Sequence, residues 1–376
     1  MAAVKNVLVV GAGIGGLTAA AALRGKGIGC RVIEIGKPSD RLGTGIMLLG
    51  NCLRALDTLG LADPCIEVGY SYEHVVWYDV DGNLVREQQT PNLFRAGRPA
   101  NVGLMRPVLG NLLEANALKL GVRIDFQTTV DNIKQSESGV LVHLSTGEEV
   151  ATDLVVAADG VYSKTRSMVF GAGHRPQFCG QGGWRYTTLR SEKLYGMTFY
   201  RVPNRAALGG LPLSKTHCYY FFLENEPKAT HKPDDQLIEM FKRHVAPYTA
   251  PELRAAWDRI DEHSHISYRP FDILLMPEPW YKGRVVLIGD AAHSLTPQLT
   301  SGGGMAIEDA VVLAEELAGR EDLPGALNAF MRRRGERVKS IFETSLAICR
   351  NEQTGHDDQV AWNLLKKGYE VLAAPF

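Results

Sequence analysis

Two glycine-rich turns, far apart in the chain, carry the clearest chemical signal in this sequence. In the first, GAGIGG, the residues Gly11, Gly13 and Gly16 fit G-x-G-x-x-G between an apolar run and an alanine-rich segment. Glycine permits a tight strand-to-helix turn there and lets backbone N–H groups approach a pyrophosphate at the helix start. Ile14 lies within this turn, and Glu34 ends the next apolar run, where a carboxylate can bind ribose hydroxyls. The turn predicts an ADP group but does not distinguish NAD from FAD.

The second turn is SGGG at 301–304, which follows the buried-strand pattern RVVLIGD. Asp290 ends that pattern, so its carboxylate can accept hydrogen bonds from ligand hydroxyls at the sheet edge. The glycines, capped by Ser301 or Thr300, are expected to direct free N–H groups and a positive helix end at a negatively charged atom. One ligand that engages both turns must be long. FAD meets this requirement, with ADP at the first turn, ribityl near Asp290 and isoalloxazine at the glycines.

The composition is that of an ordinary globular protein of 376 residues, 45% hydrophobic and 22% charged, with a formal net charge of -1. Such a near-neutral chain has no overall field that attracts nucleic acid or an anionic membrane, so small-molecule partners are favoured. Six scattered cysteines without Cys-x-x-Cys or histidine-cluster spacing predict reduced structural thiols and no metal site. No run outside the first glycine turn approaches the ~20 apolar residues of a membrane span, so we expect a cytoplasmic protein.

The elements that must position the two turns follow from the hydrophobic pattern. KNVLVV, the first glycine turn and CRVIEI predict a strand-helix-strand unit at the start of the chain. Helical patterns follow at NCLRALDTLG and RPVLGNLLEANALKLG, and short strands are predicted at about 122–157. Between about 176 and 272, aromatic alternating segments such as HCYYFFLEN predict an antiparallel sheet. RVVLIGD predicts another buried strand of the α/β part, and helices are predicted from about 304 onward.

These patterns predict an α/β fold with interleaved domains. A Rossmann-like FAD-binding domain, with a βαβ unit of the glutathione-reductase type, is interrupted by an inserted antiparallel-sheet substrate domain and followed by C-terminal helices. The predicted boundaries are 1–72, 97–175 and 273–322 for the FAD-binding domain, 73–96 and 176–272 for the substrate domain, and 323–376 for the C-terminal helices. The substrate is expected between the flavin and the inserted sheet.

Four motifs occur in order along nearly the whole chain: GAGIGG with its acidic residue, RLGTGIMLLGNCLRALDTLG, ADGVYSKTR, and GDAAHSLTP with the glycine-rich helix start. In this combination the sequence resembles the FAD-dependent single-component aromatic hydroxylases, the group A flavoprotein monooxygenases typified by para-hydroxybenzoate hydroxylase. The resemblance implies that Arg41 and Arg106 contact the FAD phosphates and ribityl, and that Asp159 and Gly160 lie near flavin and pyridine nucleotide. Many relatives have Gly-Gln-Gly where this chain has Thr-Ser-Gly at 300–302, a change that keeps the backbone donors.

The cofactor-binding residues predicted from the turns and the resemblance form one set. They are Gly11, Gly13, Ile14, Gly16, Glu34, Arg41, Arg106, Asp159, Gly160, Asp290, Pro297, Gly302, Gly303 and Gly304. Spacing alone leaves other roles open for some of them. Arg41 could be a surface charge, Arg106 a helix-start arginine paired with a carboxylate, and Asp290 a helix N-cap. His293 is predicted to be a cap-region or core histidine rather than a base.

The resemblance also implies the reaction. NADH or NADPH reduces FAD, O₂ adds to the reduced ring at C4a, and the hydroperoxide hydroxylates a small aromatic or N-heterocyclic substrate. No second nucleotide-binding βαβ unit is evident, as in the family, where NAD(P)H binds transiently. Two alternatives stay open: the same fold with epoxidation, dehydrogenation or halogenation, and a non-enzymatic flavin redox sensor. The Trp-x-Trp-x-Ile-Pro signature of flavin halogenases is absent.

Residues on the inserted sheet are candidates for substrate contact. The predicted catalytic residues are Arg205, Tyr219 and Tyr220, and the predicted substrate-binding residues are Met47, Arg185, Tyr200 and His217. A planar guanidinium can hold a carboxylate or enolate, and a tyrosine can orient a phenol. Strand alternation puts Tyr219 and Tyr220 on opposite faces, so at most one of them faces the substrate.

Two C-terminal patterns have structural interpretations. RRRGER is predicted to be a solvated helix face. Trp362, Leu365, Tyr369 and Leu372 recur at near-helical spacing, which predicts a packing or dimer helix, with a membrane-surface helix as the weaker alternative. The predicted assembly is a monomer or a homodimer.

Overall fold

The structure, a computed structural model, describes residues 2–38, 43–201, 207–355 and 357–376. Its central element is a six-stranded sheet with the order β18-β19-β12-β1-β2-β8. The strands are β1 (Asn6–Val10), β2 (Gly29–Glu34), β8 (Arg123–Phe126), β12 (Leu154–Ala157), β18 (Tyr281–Lys282) and β19 (Val285–Leu287). Five of them run parallel, and β18 is antiparallel to β19. The apolar residues of β1 and β12 are buried, as expected for strands covered on both faces.

Helices cover the faces of this sheet, which confirms the predicted α/β class. They are α1 (Ile14–Gly25), α2 (Gly50–Asp57), α3 (Ala62–Val68), α4 (Arg106–Lys119), α5 (Lys164–Phe170) and α8 (Gly302–Ala318). Helices α1 and α8 pack directly on each other. Their contact rests on small residues, because a Cβ at Gly15 would lie 3.3 Å from the Cβ of Ala306. The two glycine turns thereby begin two neighbouring helices.

Two small antiparallel sheets flank the central one. The first has the order β3-β7-β4, with β3 (Gly45–Leu49), β4 (Tyr70–Tyr72) and β7 (Asn101–Met105). The second has the order β11-β10-β9, with β9 (Val130–Gln135), β10 (Val140–Leu144) and β11 (Glu149–Thr152). The first of these lies between the central sheet and the sheet described next.

An eight-stranded sheet contains the aromatic segments, in the order β20-β17-β13-β16-β15-β14-β5-β6. Its strands are β5 (His74–Tyr78), β6 (Leu84–Gln89), β13 (Gln177–Leu189), β14 (Met197–Tyr200), β15 (Leu208–Pro212), β16 (His217–Asn225), β17 (Ile266–Leu275) and β20 (His293–Ser294). All neighbours are antiparallel except β5 and β14, which are parallel. Segments on either side of residues 97–175 thus join one sheet, although the exact domain boundaries stay a prediction.

The two faces of this large sheet have different neighbours. One face packs on α6 (Leu237–Val245) and α7 (Pro251–Trp257) through a buried aromatic cluster. Trp184, Tyr186 and Tyr220 belong to this cluster, which we call the rear face. The other face, which we call the front face, carries a second apolar cluster with Tyr219 and Leu211. Alternation along the strands decides which side chains belong to which face.

Two long helices, α9 (Leu323–Gln353) and α10 (Asp358–Ala373), complete the chain and pack on each other. The prediction that RRRGER is a solvated helix face is wrong for two of its arginines. Arg334 is fully buried and Arg337 is nearly so, because carboxylates of α8 face them from across the helix interface. Within the described ranges, no helix combines the length and the apolar character needed to cross a membrane.

Candidate active site

Four predicted cofactor residues lie at one edge of the central sheet. Gly11 follows β1, Glu34 ends β2, Asp159 follows β12, and Asp290 follows β19. These strands are parallel neighbours, so their carboxyl ends meet at the same edge. Ligands of open α/β sheets bind in the crevice outside this edge.

The first glycine turn has the shape of a pyrophosphate cradle. Gly11 has a φ of 104°, and a Cβ there would lie 2.5 Å from the carbonyl oxygen of Ala158. A Cβ at Gly16 would overlap the carbonyl oxygen of Gly11. Gly13, by contrast, is the N-cap residue of α1 and has no side chain to cap the helix, and a Cβ there would meet no atom within 4 Å. The backbone N–H groups of α1 therefore face an open space that suits a phosphate group.

Glu34 is fixed beside this cradle by the backbone. One carboxylate oxygen accepts a hydrogen bond from the N–H of Ala12 at 2.7 Å, and the other accepts one from the N–H of Gly36 at 2.8 Å. Each carboxylate oxygen has a further lone pair that can accept a ribose hydroxyl. The geometry therefore fits the predicted ribose contact.

The predicted cap of α8 by Ser301 or Thr300 is not formed. The hydroxyls of Thr300 and Ser301 both donate to the carbonyl of Leu299, at 2.8 and 2.7 Å, and neither caps the helix. They are satisfied locally because Pro297 begins a tight 3-10 turn that ends with Thr300 in the left-handed region, at a φ of 49°. Without a side-chain cap from the described residues, the first N–H groups of α8, at 302–304, are free to bind a ligand.

The two glycine turns meet at β3. A Cβ at Gly303 would lie 3.0 Å from the Cδ1 of Ile46 and 3.9 Å from the Cδ1 of Ile14. Ile14, in the first turn, is thus a neighbour of the second turn. One extended ligand can therefore touch both helix starts, and the residues present fit FAD.

Asp290 and Arg106 lie together near this second turn. Burial raises the pKa of Asp290, while the charges of Arg106 and His293 oppose that shift. Asp290 accepts no hydrogen bond from the described residues, so the alternative role as an N-cap is not seen. Arg106 begins α4, and its side chain is exposed on the crevice side of the sheet edge. Arg41 lies outside the described residues.

Replacing Asp290 with asparagine should affect the apoprotein and FAD binding in opposite directions. A carboxyl with a raised folded-state pKa destabilises the fold above its ordinary pKa, so the neutral amide should raise the apoprotein melting temperature at pH 7. This gain should vanish below about pH 4, where aspartate is protonated in both states. FAD affinity should fall about tenfold with the loss of a charged acceptor. Thermal melts and flavin titrations check both, and unchanged FAD affinity would remove Asp290 from the site.

The segment after β12 is organised by local hydrogen bonds. Asp159 accepts hydrogen bonds from the hydroxyl of Ser163 and from the N–H of Thr165, and Gly160 has a φ of 80°. Arg166, which is buried, donates to the carbonyls of Val161, His174 and Ala291. The segment is thereby tied to the turn that contains Asp290.

A buried ionic network behind the crevice was missed by sequence reasoning. Asp309 accepts hydrogen bonds from the N–H of Gly289 at 2.9 Å, from His293 at 2.6 Å and from Arg334 at 2.7 Å. Glu308 pairs with Arg334 at 2.6 Å. His293 is therefore a core histidine, as predicted. The two adjacent carboxylates in the apolar helix segment MAIEDAVVLA were the available signal, since buried charges need partners.

The front face of the large sheet brings two predicted residues toward β3, which carries a third. Arg185 and Tyr219 lie on this face, in the neighbouring strands β13 and β16. A Cβ at Gly45 would lie 2.6 Å from the ring of Tyr219. Met47, two residues further along β3, packs in the same cluster and contacts the hydroxyl of Tyr72. These residues therefore line the side of the crevice opposite the central sheet.

Two other predicted residues lie on the rear face, and a third is exposed at the start of β16. Tyr220 is fully buried on the rear face, where alternation places it. Tyr200 also belongs to the rear face and donates to Glu252 at 3.0 Å. His217, the first residue of β16, shares the alternation of Tyr219 but is exposed, and its ring contacts the hydroxyl of Thr216. The structure therefore places the predicted residues Tyr200 and Tyr220 away from the crevice. Arg205 lies outside the described residues.

Comparison with known proteins identifies the cofactor. Residues 5–343 match the family model described as an FAD binding domain. The chain belongs to this family. It is 31% identical over 352 residues to the FAD-dependent urate hydroxylase of Klebsiella pneumoniae, covering 89% of this chain and 87% of that protein. It is 29% identical over 354 residues to 3-hydroxybenzoate 6-hydroxylase 1 of Aquipseudomonas alcaligenes, covering 90% of this chain and 86% of that protein.

A solved structure gives the same result. Klebsiella pneumoniae HpxO, complexed with FAD and uric acid, superposes with a TM-score of 0.85 at 25% sequence identity, covering 99% of this chain and 97% of that one. The protein is thus an FAD-dependent monooxygenase of the aromatic hydroxylase family, which confirms the resemblance drawn from the four motifs. FAD is its cofactor, and the finding favours an enzyme over a flavin sensor.

Proposed function

We propose that this FAD-dependent monooxygenase uses NADH or NADPH and O₂ to hydroxylate a small aromatic or N-heterocyclic compound. The observation that carries the proposal is the meeting of both glycine turns with the front face of the large sheet at β3. When bound, FAD supplies the redox chemistry that activates O₂ after reduction by NAD(P)H. The curated relatives named for urate and 3-hydroxybenzoate support a small ring as substrate.

The protein's own residues would hold the cofactor and its charge. The first turn would bind the pyrophosphate, Glu34 the ribose, and Asp290 the ribityl hydroxyls. The free N–H groups at 302–304 and the positive end of α8 would stabilise negative charge on the reduced flavin. Pro297 would fix the approach to that helix start, because it begins the turn from which α8 emerges.

The front face would keep water from the reacting atoms and orient the ring. Its cluster contains buried Tyr72, Met197, Leu211 and Leu213, an apolar wall that favours a dry site. Burial raises the pKa of Tyr219, with the charge of Arg185 opposing the shift. The phenol is therefore neutral at physiological pH and donates a hydrogen bond to a substrate oxygen instead of acting as a base.

A pair of adjacent tyrosines tests this assignment of faces. Tyr219→Phe should lower kcat/KM about tenfold, because it removes a hydrogen-bond donor to the substrate. Tyr220→Phe should leave kcat/KM unchanged, because the buried Tyr220 side chain belongs to the rear cluster and does not face the crevice. Steady-state kinetics of both variants check this, and a larger loss in Tyr220→Phe would reverse the assignment.

The reaction itself is tested with the FAD-loaded protein. Phenolic, carboxylated and pyridine-type compounds are screened for stimulated NADH or NADPH oxidation under isotopically labelled O₂. The proposal expects a product that contains one labelled oxygen atom on a ring carbon. Products without labelled oxygen would show a dehydrogenase, and an epoxide would show the other alternative. Stimulated oxidation that yields peroxide alone from every compound would contradict the proposal.

A further inference from the structure

Two of the cysteines, far apart in the sequence, come together at the junction of the large sheet and the C-terminal helices. Cys179 lies on β13 and Cys349 lies on α9, and both are free thiols. Their side chains are within hydrogen-bonding distance of each other. Strand β13 bulges between Phe178 and Gly182, so residues 179–181 leave the ladder with β17. The fold thereby forms a thiol pair, which we call the Cys179–Cys349 pair.

Two glutamines hold this pair in place. The side-chain amide of Gln353 donates to the carbonyl of Cys179 at 2.8 Å, and the same nitrogen lies 3.6 Å from the sulfur of Cys349. The side-chain oxygen of Gln181 lies 3.2 Å from the sulfur of Cys349 and accepts a hydrogen bond from Gln298 at 2.7 Å. Gln298 belongs to the 3-10 turn that precedes α8. One side chain therefore links the pair to the turn from which α8 emerges.

The two thiols differ in exposure and in acidity. Cys179 is half-buried, whereas Cys349 is fully buried. The hydrogen bond from Cys349 lowers the pKa of Cys179, against the opposing effects of burial and of the charge on Asp272. The same hydrogen bond, together with burial, raises the pKa of Cys349. Since the thiolate is the form of cysteine that attacks an oxidant, Cys179 is the reactive member and Cys349 is the second thiol that can displace the product.

We propose that the Cys179–Cys349 pair is a redox modification site, which hydrogen peroxide converts into a reversible disulfide within the chain. The bond would join the large sheet to α9. This inference goes beyond the proposed hydroxylation and does not depend on which ring compound the enzyme takes. Hydrogen peroxide is the product of O₂ reduction by NAD(P)H when no oxygen atom is transferred to a substrate, so a flavin monooxygenase supplies this oxidant itself in unproductive turnover.

The conversion takes two steps. The Cys179 thiolate attacks one oxygen of the peroxide, the O–O bond breaks, and the departing hydroxide takes up the proton that the thiol lost, which gives a sulfenic acid and water. The sulfur of Cys349 then attacks the sulfur of Cys179. An S–S bond forms, the S–O bond breaks, and the hydroxyl group leaves as a second water with the proton of Cys349. The pair loses two electrons, and the peroxide gains them.

The test uses the FAD-loaded protein and added hydrogen peroxide. The protein is reduced with dithiothreitol, freed of it and treated with peroxide, and the remaining thiols are blocked with iodoacetamide during unfolding. Unreduced peptides are then analysed by mass spectrometry. Cys30→Ser is the matched control, because Cys30 is also half-buried but burial raises its pKa to about 12. Cys349→Ser removes the second thiol and is treated with dimedone, which traps sulfenic acids.

Wild type should yield the peptide of Cys179 joined to the peptide of Cys349, and dithiothreitol should separate them. Free Cys179 should disappear at least about tenfold faster than free Cys30, because more of it is thiolate. Cys30→Ser should form the disulfide at the wild-type rate. Cys349→Ser should accumulate dimedone-labelled Cys179, since no second thiol displaces the hydroxyl group.

The wild-type measurement decides the inference even if Cys349→Ser does not fold. Peroxide treatment that leaves both thiols free, or that oxidises Cys179 to a sulfinic acid without joining it to Cys349, would overturn the inference. Disulfides between two chains in place of the internal one would also overturn it. So would oxidation of Cys30 at the same rate as Cys179.

Discussion

Replacing Gly13 with alanine should leave the protein folded and remove most of its flavin. Gly13 has extended backbone angles that alanine adopts readily, and a Cβ there would meet no protein atom within 4 Å. That Cβ would, however, occupy the open space in front of α1 where the pyrophosphate binds. We expect FAD affinity to fall about 100-fold, which corresponds to about 2.7 kcal/mol of binding free energy. Flavin titration of the apoprotein measures the affinity, and circular dichroism checks the fold.

Gly25→Ala is the matched control for this substitution. Gly25 ends α1, and a Cβ there also meets no atom within 4 Å. It lies at the opposite end of the helix from the cradle, so FAD affinity should be unchanged, and stability should rise by at most about 1 kcal/mol. Gly16 is a poorer choice, because its Cβ would overlap the Gly11 backbone and disturb the fold itself. Equal FAD affinities in Gly13→Ala and Gly25→Ala would exclude the cradle as the pyrophosphate site.

Arg334→Met should be among the most destabilising substitutions on the C-terminal helices. It leaves the fully buried Glu308 and Asp309 without the guanidinium that pairs with both at 2.6 and 2.7 Å. Breaking a buried ion pair in this way lowers the free energy of unfolding by about 3–5 kcal/mol. Because Asp309 also holds the N–H of Gly289, FAD retention should fall as well. Urea unfolding of the FAD-loaded protein measures the stability.

The pH dependence of this effect has a defined sign. Burial opposes ionisation of Asp309, but His293 and Arg334 outweigh it and lower its pKa from 3.8 to about 2. A lowered pKa stabilises the fold above the ordinary value, and that stabilisation is lost as the pH falls toward 2. The stability difference between wild type and Arg334→Met should therefore be full above about pH 4 and shrink below it. Arg332→Met, an exposed neighbour on α9, should change stability by less than about 0.5 kcal/mol. Similar losses in both variants would contradict the network.

Local patterns in the sequence predicted the strand ends at which the proposed cofactor residues lie. The first glycine turn and Asp290 follow buried strands within a few residues, and Glu34 ends one. Their positions therefore depend on short-range geometry and parallel pairing alone. The same reasoning placed Tyr219 and Tyr220 on opposite faces of their strand. It did not determine which face is the front, because that depends on where α6 and α7 pack.

The prediction for RRRGER was wrong because it depends on contacts between distant segments. RRRGER resembles a solvated face because its partner carboxylates lie on another helix, and nothing within the motif reveals them. The predicted cap of α8 was wrong for the opposite reason. The hydroxyls of Thr300 and Ser301 donate to the adjacent carbonyl of Leu299 instead of capping the helix, and residue spacing does not reveal this local competition.

The most direct test of the account is a crystal structure of the protein with FAD bound. We expect one FAD molecule with its pyrophosphate at the Gly11–Gly16 turn, its ribose on Glu34, and its isoalloxazine at the helix start of Gly302–Gly304 beside Tyr219. A flavin that contacts one of the two glycine turns and leaves the other empty, or that lies elsewhere on the molecule, would contradict it.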